Sequence, residues 1–286
     1  MQKLNSQMRS NGKGGGKSPH SKVVMAREDC LLCRGTGWKL VARNDRAPGN
    51  MAVPCECGME ERAERVMERA RIPKRYEHCD FESFSTDIGT PQQQQSLKHA
   101  KMQVEGFLRD YPATEQGLLL AGPSGAGKTH LAVAALKELI HRGHGGLFCD
   151  YRELLKEIQG SYNAASESTE LGILEPIRGV EVLLLDDLGA SKPSDWMRDI
   201  VAIVLNARYN EKRTTIITTN YIDNPQSEGE TTRLPSGKLM AAIKDDSLEQ
   251  RIGSRMRSRL FEMCRTVELN ASDFRRERTQ AGRARA

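Results

Sequence analysis

Residues 122–129 read Gly-Pro-Ser-Gly-Ala-Gly-Lys-Thr, a glycine-rich segment of the type that holds phosphates. Its glycines let successive backbone N–H groups point at the β- and γ-phosphates of a nucleotide. Lys128 would bring a positive charge to the terminal phosphates, and the Thr129 hydroxyl would bind Mg²⁺. The segment predicts a Mg-ATP site whose nucleotide-binding residues are Gly122, Pro123, Ser124, Gly125, Ala126, Gly127, Lys128, Thr129 and His130.

The surroundings of this segment are those that a phosphate-binding loop requires. Residues 117–121 form a short apolar run typical of a buried parallel strand, and residues 131–142 show helical periodicity that ends at Gly143. A loop between a strand and a helix can use the partial positive charge at the helix N-terminus. The alternative, a chance glycine-rich turn, would explain neither the strand before the segment nor the helix after it.

Two consecutive carboxylates, Asp186 and Asp187, follow the apolar residues 182–185. Ligands of open parallel sheets bind at the carboxyl ends of the strands. Asp186 is predicted to hold the magnesium ion, and Asp187 to orient or deprotonate the attacking water. An acidic strand end alone is mostly structural, but the phosphate-binding segment favours the metal-binding interpretation.

Asn220 and a group of arginines have two interpretations each. Asn220 ends a third apolar segment and would reach the γ-phosphate or the attacking water, although asparagine after a strand is also a common turn former. Residues 251–261 form a helix-like segment with four arginines in nine residues. These arginines would stabilise charge on a transferred phosphoryl group, or they belong to a basic surface helix that contacts nucleic acid or solvent. The residues alone leave both alternatives open.

Four of the seven cysteines form two close pairs, Cys30 with Cys33 and Cys55 with Cys57, separated by 21 residues. In a reducing compartment such a cluster indicates metal ligands rather than disulfides. Four thiolates at this spacing can close a tetrahedral zinc site, and Gly35 and Gly37 would permit its tight turns. Unliganded cysteines are the alternative. Cys79, Cys149 and Cys264 are predicted to be ordinary buried residues.

The elements that position these residues alternate between strands and helices. Apolar runs at 147–149, 180–185 and 214–218 predict buried strands, and helical patterns occupy 151–158 and 196–211. This alternation predicts an α/β fold, a parallel sheet flanked by helices on both faces. Before it, helical periodicity covers 59–71 and 96–111, and the turn-rich stretch between them, including Pro91 and four glutamines, is interpreted as a linker.

The charge and hydropathy of the chain restrict the classes of function that it can have. The net charge of +5 is modest, but both ends of the chain are basic. These arms are either solvated tails or phosphate contacts, and both interpretations stay open. The sequence has neither the run of roughly 18 to 20 apolar residues that a membrane span needs nor the apolar region of a signal peptide. We therefore expect a cytoplasmic protein without a membrane partner.

The order of these motifs resembles the AAA+ ATPases of the DnaC and IstB type. The glycine-rich segment is followed by the aspartate pair, Asn220, and Arg-Ser-Arg-Leu ahead of residues 264–269, while residues 71–84 resemble the family's lead-in. The resemblance covers about 71–275 and implies an AAA+ P-loop NTPase. By this resemblance Asn220 is sensor I, and Arg259 is an arginine finger acting on a neighbouring subunit, with Arg255 the second choice.

The resemblance also has implications for the rate of hydrolysis, the lid and the order of domains. The aspartate pair implies slow hydrolysis, and only some 17 residues follow Leu269, which implies a truncated or absent lid. Residues 224–246 are expected to be an insertion or flexible loop. The expected order is a disordered basic arm (1–28), a zinc-binding module with its helix (29–72), a linker and lead-in helix (73–116), the ATPase domain (117–273) and a basic tail (274–286).

Three functions follow as hypotheses. The first is a helicase loader that oligomerises on ATP binding, binds single-stranded DNA and remodels or loads a replicative helicase, with hydrolysis stimulated by oligomerisation or DNA. The second is an IstB-like transposition helper that delivers a transposase to DNA. The third is a switch that binds ATP without cleaving it while the zinc module tethers partners. The expected cofactors are ATP, Mg²⁺ and Zn²⁺.

Overall fold

The computed structural model describes residues 29–42, 50–163, 168–221 and 247–275. The predicted basic arm (1–28), the whole of the predicted flexible loop (224–246) and residues 276–286 of the predicted tail lie outside these ranges. The chain divides into two compact units, Met1–Glu61 and Arg62–Ala286. Helix α1 (Glu56–Arg69) begins in the first unit and ends in the second.

The first unit contains an antiparallel hairpin and the four clustered cysteines. Strands β1 (Trp38–Ala42) and β2 (Asn50–Pro54) pair with Trp38 opposite Pro54 and Ala42 opposite Asn50. Ahead of β1, Gly35 and Gly37 have φ angles of 80° and 75°, a left-handed conformation that favours glycine. The prediction that these glycines permit tight turns beside the cysteines is confirmed.

The second unit alternates strands and helices as predicted. A short 3₁₀ turn (Lys74–Tyr76) precedes the regular elements. The helices are α2 (Pro91–Asp110), α3 (Lys128–His141), α4 (Tyr151–Ser161), α5 (Glu170–Gly179), α6 (Asp195–Asn210), α7 (Leu248–Ile252) and α8 (Ser254–Met263). The strands are β3 (Gly117–Ala121), β4 (Gly146–Asp150), β5 (Val182–Asp186), β6 (Thr214–Thr219) and β7 (Cys264–Glu268).

These five strands form one parallel sheet in the order β4-β5-β6-β3-β7. Successive strand residues point to opposite faces, so the sheet separates two apolar cores. Leu118 and Leu120 pack with α2 and α3, whereas Leu119 packs with α4, α5, α6 and α8. The prediction of a parallel sheet flanked by helices is confirmed, and all the strand carboxyl ends meet at one edge.

Two predictions about local structure were wrong. The four glutamines belong to α2 rather than to a linker, because Thr90 and Gln93 form a capping box and Pro91 occupies the first helical position. The helix-like segment 251–261 is two helices, because Gly253 with φ 86° breaks it between α7 and α8. Strand β7, at the edge of the sheet, was not predicted as a strand.

Arg208 is fully buried and joins several elements of the second core. Its guanidinium donates to the carbonyls of Ile177 at 3.0 Å and Val180 at 2.8 Å, and Nε donates to the Thr215 hydroxyl at 2.9 Å. Burial lowers the pKa of Arg208 to about 9. The side chain therefore satisfies carbonyls at the end of α5 and at the starts of β5 and β6, which would otherwise be buried without donors.

Candidate nucleotide site and cysteine cluster

The glycine-rich segment lies between β3 and α3, and two of its positions accommodate only glycine. Gly125 and Gly127 have φ angles of 81° and 96°, and Gly127 is the N-cap of α3. A Cβ atom at Gly127 would lie 2.7 Å from Cε2 of Phe84, and one at Gly125 would lie 2.1 Å from Oδ1 of Asp273. The chain therefore turns tightly into the helix N-terminus, which is an arrangement that fits bound phosphates.

Lys128 is the first residue of α3, and its side chain is 6% exposed. Its ammonium donates to the carbonyls of Gly122 at 2.9 Å and Pro123 at 2.8 Å, and to Oδ1 of Asn220 at 2.7 Å. Burial lowers the pKa of Lys128 to about 8, although the nearby aspartates act in the opposite direction. The charge is held over the loop, where terminal phosphates would bind.

Asp186 is buried at the end of β5 and accepts two hydroxyl hydrogen bonds. Its Oδ1 accepts from Thr129 Oγ1 at 2.8 Å and from Thr218 Oγ1 at 2.6 Å. Burial raises the pKa of Asp186, and the two hydrogen bonds oppose that rise. The Thr129 hydroxyl and the carboxylate are adjacent oxygen donors, the ligand type that Mg²⁺ prefers, so these residues fit a magnesium ion.

Asp187 has a left-handed backbone conformation, with φ 58°, directly after the strand. Its backbone N–H donates to Thr218 Oγ1 at 2.8 Å, and its Oδ1 accepts from Nδ2 of Asn220 at 2.8 Å. The carboxylate is about one-third exposed (32%) and faces the same cleft as Lys128. Asp186 is thus buried beside Thr129, while Asp187 remains accessible to a water molecule.

These side chains line a cleft of about 960 Å³ at the carboxyl edge of the sheet. Two chain segments that sequence reasoning did not assign to the site form its other walls. The segment before α2 contributes Arg75, Tyr76, Phe84 and Ile88, and the segment after β7 contributes Ala271, Ser272, Phe274 and Arg275. Neither has a phosphate-binding motif, and only the resemblance of residues 71–84 to a family lead-in pointed towards the first wall.

Arg152 is a second feature that sequence reasoning missed. It lies in the first turn of α4, lines the cleft, and places Nη2 3.8 Å from Oδ2 of Asp187. The rule that ligands bind beyond the carboxyl ends of parallel strands would have identified it, because β4 ends at Asp150.

His130 follows Thr129 in the first turn of α3 and is half-buried in the cleft wall. Its Nε2 lies 2.8 Å from the carbonyl of Asp80 and 3.1 Å from Oγ of Ser83, and its ring meets the ring of Phe84 edge-on at 5.4 Å. Burial lowers the pKa of His130. The imidazole is therefore bonded to the segment before α2.

Arg259 and Arg255 both lie on α8, and neither lines the cleft of its own chain. The guanidinium of Arg259 donates to Oδ1 of Asn206 and lies over the ring of Tyr209, 5.2 Å from the ring centroid. Arg255 is exposed. The structure brings together Lys128, Thr129 and the residues at the strand ends, and leaves these two arginines elsewhere.

The four cysteines of the first unit converge with spacings that fit one metal ion. Sγ of Cys30 lies 3.7 Å from Sγ of Cys55, and Sγ of Cys33 lies 3.4 Å from Sγ of Cys57. A tetrahedral zinc ion with Zn–S bonds near 2.3 Å sets its sulfurs about 3.8 Å apart. Backbone hydrogen bonds, first from Cys33, lower the pKa of Cys30 to about 7. The cluster is therefore compatible with zinc.

The remaining cysteines, Cys79, Cys149 and Cys264, are buried, as predicted. Burial raises the pKa of Cys149 and of Cys264 to about 12, so neither thiol is prepared for chemistry at neutral pH. Within the described ranges, no helix combines the length and apolar composition needed to cross a membrane.

The parallel sheet, the phosphate-binding loop and the polar strand ends define a P-loop nucleotide-binding protein of the AAA+ class. The model of the family "IstB-like ATP binding protein" matches residues 58–281, and the chain belongs to this family. The family is ATP-binding, which fits the geometry around Lys128 and Asp186.

Similar proteins include replicative helicase loaders. The replicative helicase loader DnaC of Buchnera aphidicola subsp. Schizaphis graminum is 29% identical over 157 residues, covering 55% of this chain and 61% of the relative. The phage-like element PBSX protein XkdC of Bacillus subtilis is 28% identical over 194 residues, covering 64% and 68%. The chain spans about three-fifths of the length of its DnaC relatives (61%).

Solved structures agree on the fold. A crystal structure of the DnaC helicase loader has a TM-score of 0.53 and 28% identity, covering 68% of this chain and 99% of that chain. A crystal structure of DnaI has a TM-score of 0.50 and 22% identity, covering 71% and 94%. At that identity the likeness to DnaI shows the fold alone.

Proposed function

We propose that this chain is an ATP-hydrolysing helicase loader, which binds Mg-ATP and DNA and loads or remodels a replicative helicase. The observation that carries the proposal is the similarity to replicative helicase loaders, together with the family match over residues 58–281, which include the nucleotide site. The contacts among Lys128, Asn220 and Asp187 support hydrolysis rather than storage of ATP, because they join a phosphate-facing cation to an accessible carboxylate.

The roles of the individual residues follow from their positions. The loop from Gly122 to His130 would cradle the phosphates, with Lys128 on the terminal ones. Thr129 and Asp186 would hold the magnesium ion, which supplies charge neutralisation at the phosphates when it is bound. Asp187 would orient and deprotonate the attacking water, and Asn220 would position Asp187 through its amide.

The placement of Arg259 supports a homo-oligomer formed on ATP binding. Phosphoryl transfer is accelerated by an arginine supplied from outside the phosphate-binding loop. Arg259 does not line its own cleft, so it would serve the cleft of a neighbouring copy. The contacts with Asn206 and Tyr209 would hold the guanidinium at the subunit surface until a neighbour binds. Arg255, exposed on the same helix, is the second candidate.

The four-cysteine cluster is proposed to hold a structural zinc ion in a docking module for the protein partner. Zinc would be the main source of its folding energy, because a segment this small buries little apolar surface. The proposed plan is residues 29–72 for this module and its helix, 73–116 for the lead-in and 117–273 for the ATPase domain. The basic residues of 1–28 and 274–286 would contact the phosphates of single-stranded DNA.

A transposition helper is the second candidate, and the family match favours it. It would use the same ATP site but deliver a transposase instead of a helicase. A switch that binds ATP without cleaving it is the third, supported by the short Asp187 carboxylate, which reaches less far than a glutamate would.

Two measurements test these alternatives. Affinity capture of the full chain from its native cell, read by mass spectrometry, should recover a replicative helicase; recovery of a transposase instead would select the second candidate. ATP turnover should rise when single-stranded DNA is added, and Lys128→Ala should abolish it in a folded protein. Turnover that stays at background with DNA and partner present would favour the switch.

A further inference from the structure

Three side chains meet at the wall of the cleft, and one of them, His130, is also the last residue of the proposed phosphate-binding loop. The sulfur of Cys79 and one ring nitrogen each of His78 and His130 lie within 4.8 Å of one another. His78 and Cys79 belong to the segment before α2, and His130 belongs to the first turn of α3. All three line the nucleotide cleft, so two chain segments distant in sequence meet there.

The donor set of this cluster is that of a zinc site with an open position. One thiolate and two imidazoles suit Zn²⁺, and zinc sites with three protein ligands keep a fourth position for water or another ligand. With Zn–N bonds near 2.0 Å and a Zn–S bond near 2.3 Å, a tetrahedron sets two nitrogens roughly 3.3 Å apart and a nitrogen and the sulfur roughly 3.6 Å apart. Starting from separations of at most 4.8 Å, the ligand atoms need to approach one another by no more than about 1.2 to 1.5 Å.

The hydrogen bonds around the cluster prepare it for a metal. A carbonyl only accepts, so the 2.8 Å contact with the carbonyl of Asp80 places the proton of His130 on Nε2 and leaves a lone pair on Nδ1. A backbone carbonyl that holds the second ring nitrogen is the usual support of a metal-binding histidine. The backbone of Cys79 is fixed as well, because its carbonyl accepts from Nζ of Lys137 at 3.1 Å.

Packing alone explains only part of this arrangement. Cys79 is buried in the first core and His130 contacts the ring of Phe84, so both residues also have structural roles. His78 is exposed, yet its ring lies 6.1 Å from that of His130 in an edge-on arrangement. An exposed side chain gains little from packing there, whereas a ligand must reach the other two donors.

We propose that His78, Cys79 and His130 form a zinc site on the wall of the nucleotide cleft, separate from the four-cysteine cluster. Its exchangeable fourth ligand would come from the cleft, since all three protein ligands line it. Zinc would join the segment before α2 to the first turn of α3, and would thus fix the wall that lies next to the phosphate-binding loop. This proposal holds whether the partner is a helicase or a transposase.

Zinc stoichiometry of the full chain tests the site. Chelator-treated protein without nucleotide is dialysed against buffered Zn²⁺, and bound metal is counted by mass spectrometry. Wild type should bind about two zinc ions, one at each site. His78→Ala, which changes an exposed residue, and Cys79→Ser should each remove one ion or weaken its binding at least tenfold. Tenfold is the minimum because losing even a residue that only hydrogen-bonds to a metal ligand weakens metal binding by that much.

The controls separate this site from the rest of the chain. His99→Ala changes an exposed histidine of α2, and Cys149→Ala changes a buried cysteine of β4; both should leave the zinc count unchanged. Cys55→Ser should remove one ion from the other cluster and leave the one held by Cys79. Equal zinc counts and affinities in wild type, His78→Ala and Cys79→Ser would overturn the proposal, and the circular dichroism of each variant will show that it is folded.

Discussion

Replacing Arg259 with alanine distinguishes a cooperative ATPase from a solitary switch. In its own chain the guanidinium makes one hydrogen bond to Asn206 and lies over Tyr209. Losing them should cost about 1 kcal/mol for the hydrogen bond and about 0.5 to 1 kcal/mol for the cation–π contact. The variant should therefore stay folded and bind ATP normally, because Arg259 does not line its own cleft.

Hydrolysis should respond far more strongly if Arg259 acts on a neighbouring subunit. Arginine fingers contribute roughly a thousandfold or more, which corresponds to about 4 kcal/mol of transition-state stabilisation. Slow turnover of the wild type would compress this range. ATP binding is followed with a fluorescent analogue and turnover by phosphate release. Arg257→Ala is the matched control, since Arg257 lies on the same helix and contacts Glu249 and Phe261 of its own chain.

Mixing Arg259→Ala with Lys128→Ala adds a stricter test. An active interface needs a phosphate-binding loop from the first variant and a finger from the second. In a random equal mixture of a head-to-tail assembly, about a quarter of the interfaces meet this condition, so turnover should recover to about a quarter of wild type. If Arg259→Ala instead hydrolyses ATP normally without DNA, loses DNA affinity and salt dependence, and shows no complementation, the trans-acting role is wrong.

Four further predictions follow from the site and the core. Asp187→Asn should keep Mg-ATP bound but slow cleavage about a hundredfold or more, whereas Asp186→Asn should weaken magnesium binding itself; equal loss of metal affinity would refute this division. Asn220→Ala should also retain ATP while turnover falls about a hundredfold, and unchanged turnover would exclude a role. ATP affinity should fall as pH rises above about 8, because Lys128 then has to take up a proton when ATP binds. Calorimetry in buffers of different ionisation enthalpy detects this proton uptake. Arg208→Met should lower the free energy of unfolding in urea by about 3 kcal/mol or more, since several buried carbonyls lose their donor; a change below about 1 kcal/mol would contradict this.

Local sequence patterns were sufficient to predict the structure where all the signals lie within one short segment. The apolar run 117–121 and the glycine-rich residues after it predicted β3, the loop and the start of α3, because strand, turn and helix signals are all encoded within a few residues. The parallel sheet followed from alternation of strands and helices. The expected positions of Asp186 and Asn220 at the same sheet edge followed from that topology, although their roles remain predictions.

Features that depend on distant contacts could not be predicted in this way. The cleft walls around Phe84 and Phe274 come from segments without a ligand-binding motif, and only the tertiary fold brings them to the loop. In the sequence, nothing distinguishes Arg208 from the other residues of the helical pattern in α6. Its burial depends on carbonyls of α5, β5 and β6. The break at Gly253 was missed because Arg251, Arg255 and Arg259 follow one another at a helical spacing of four residues across it.

The side-chain amide of Asn220 joins Lys128 to Asp187, and in the proposed mechanism it would connect nucleotide recognition to water activation. Oδ1 of Asn220 accepts from Lys128 at 2.7 Å, and its Nδ2 donates to Asp187 at 2.8 Å. Phosphate oxygens are stronger acceptors for an ammonium than an amide oxygen, because they are charged. A terminal phosphate would therefore compete with Asn220 for Lys128 and change the position of the amide that holds Asp187. In this arrangement the carboxylate proposed to activate water would respond to whether a terminal phosphate is bound, so ATP and ADP would leave Asp187 in different environments.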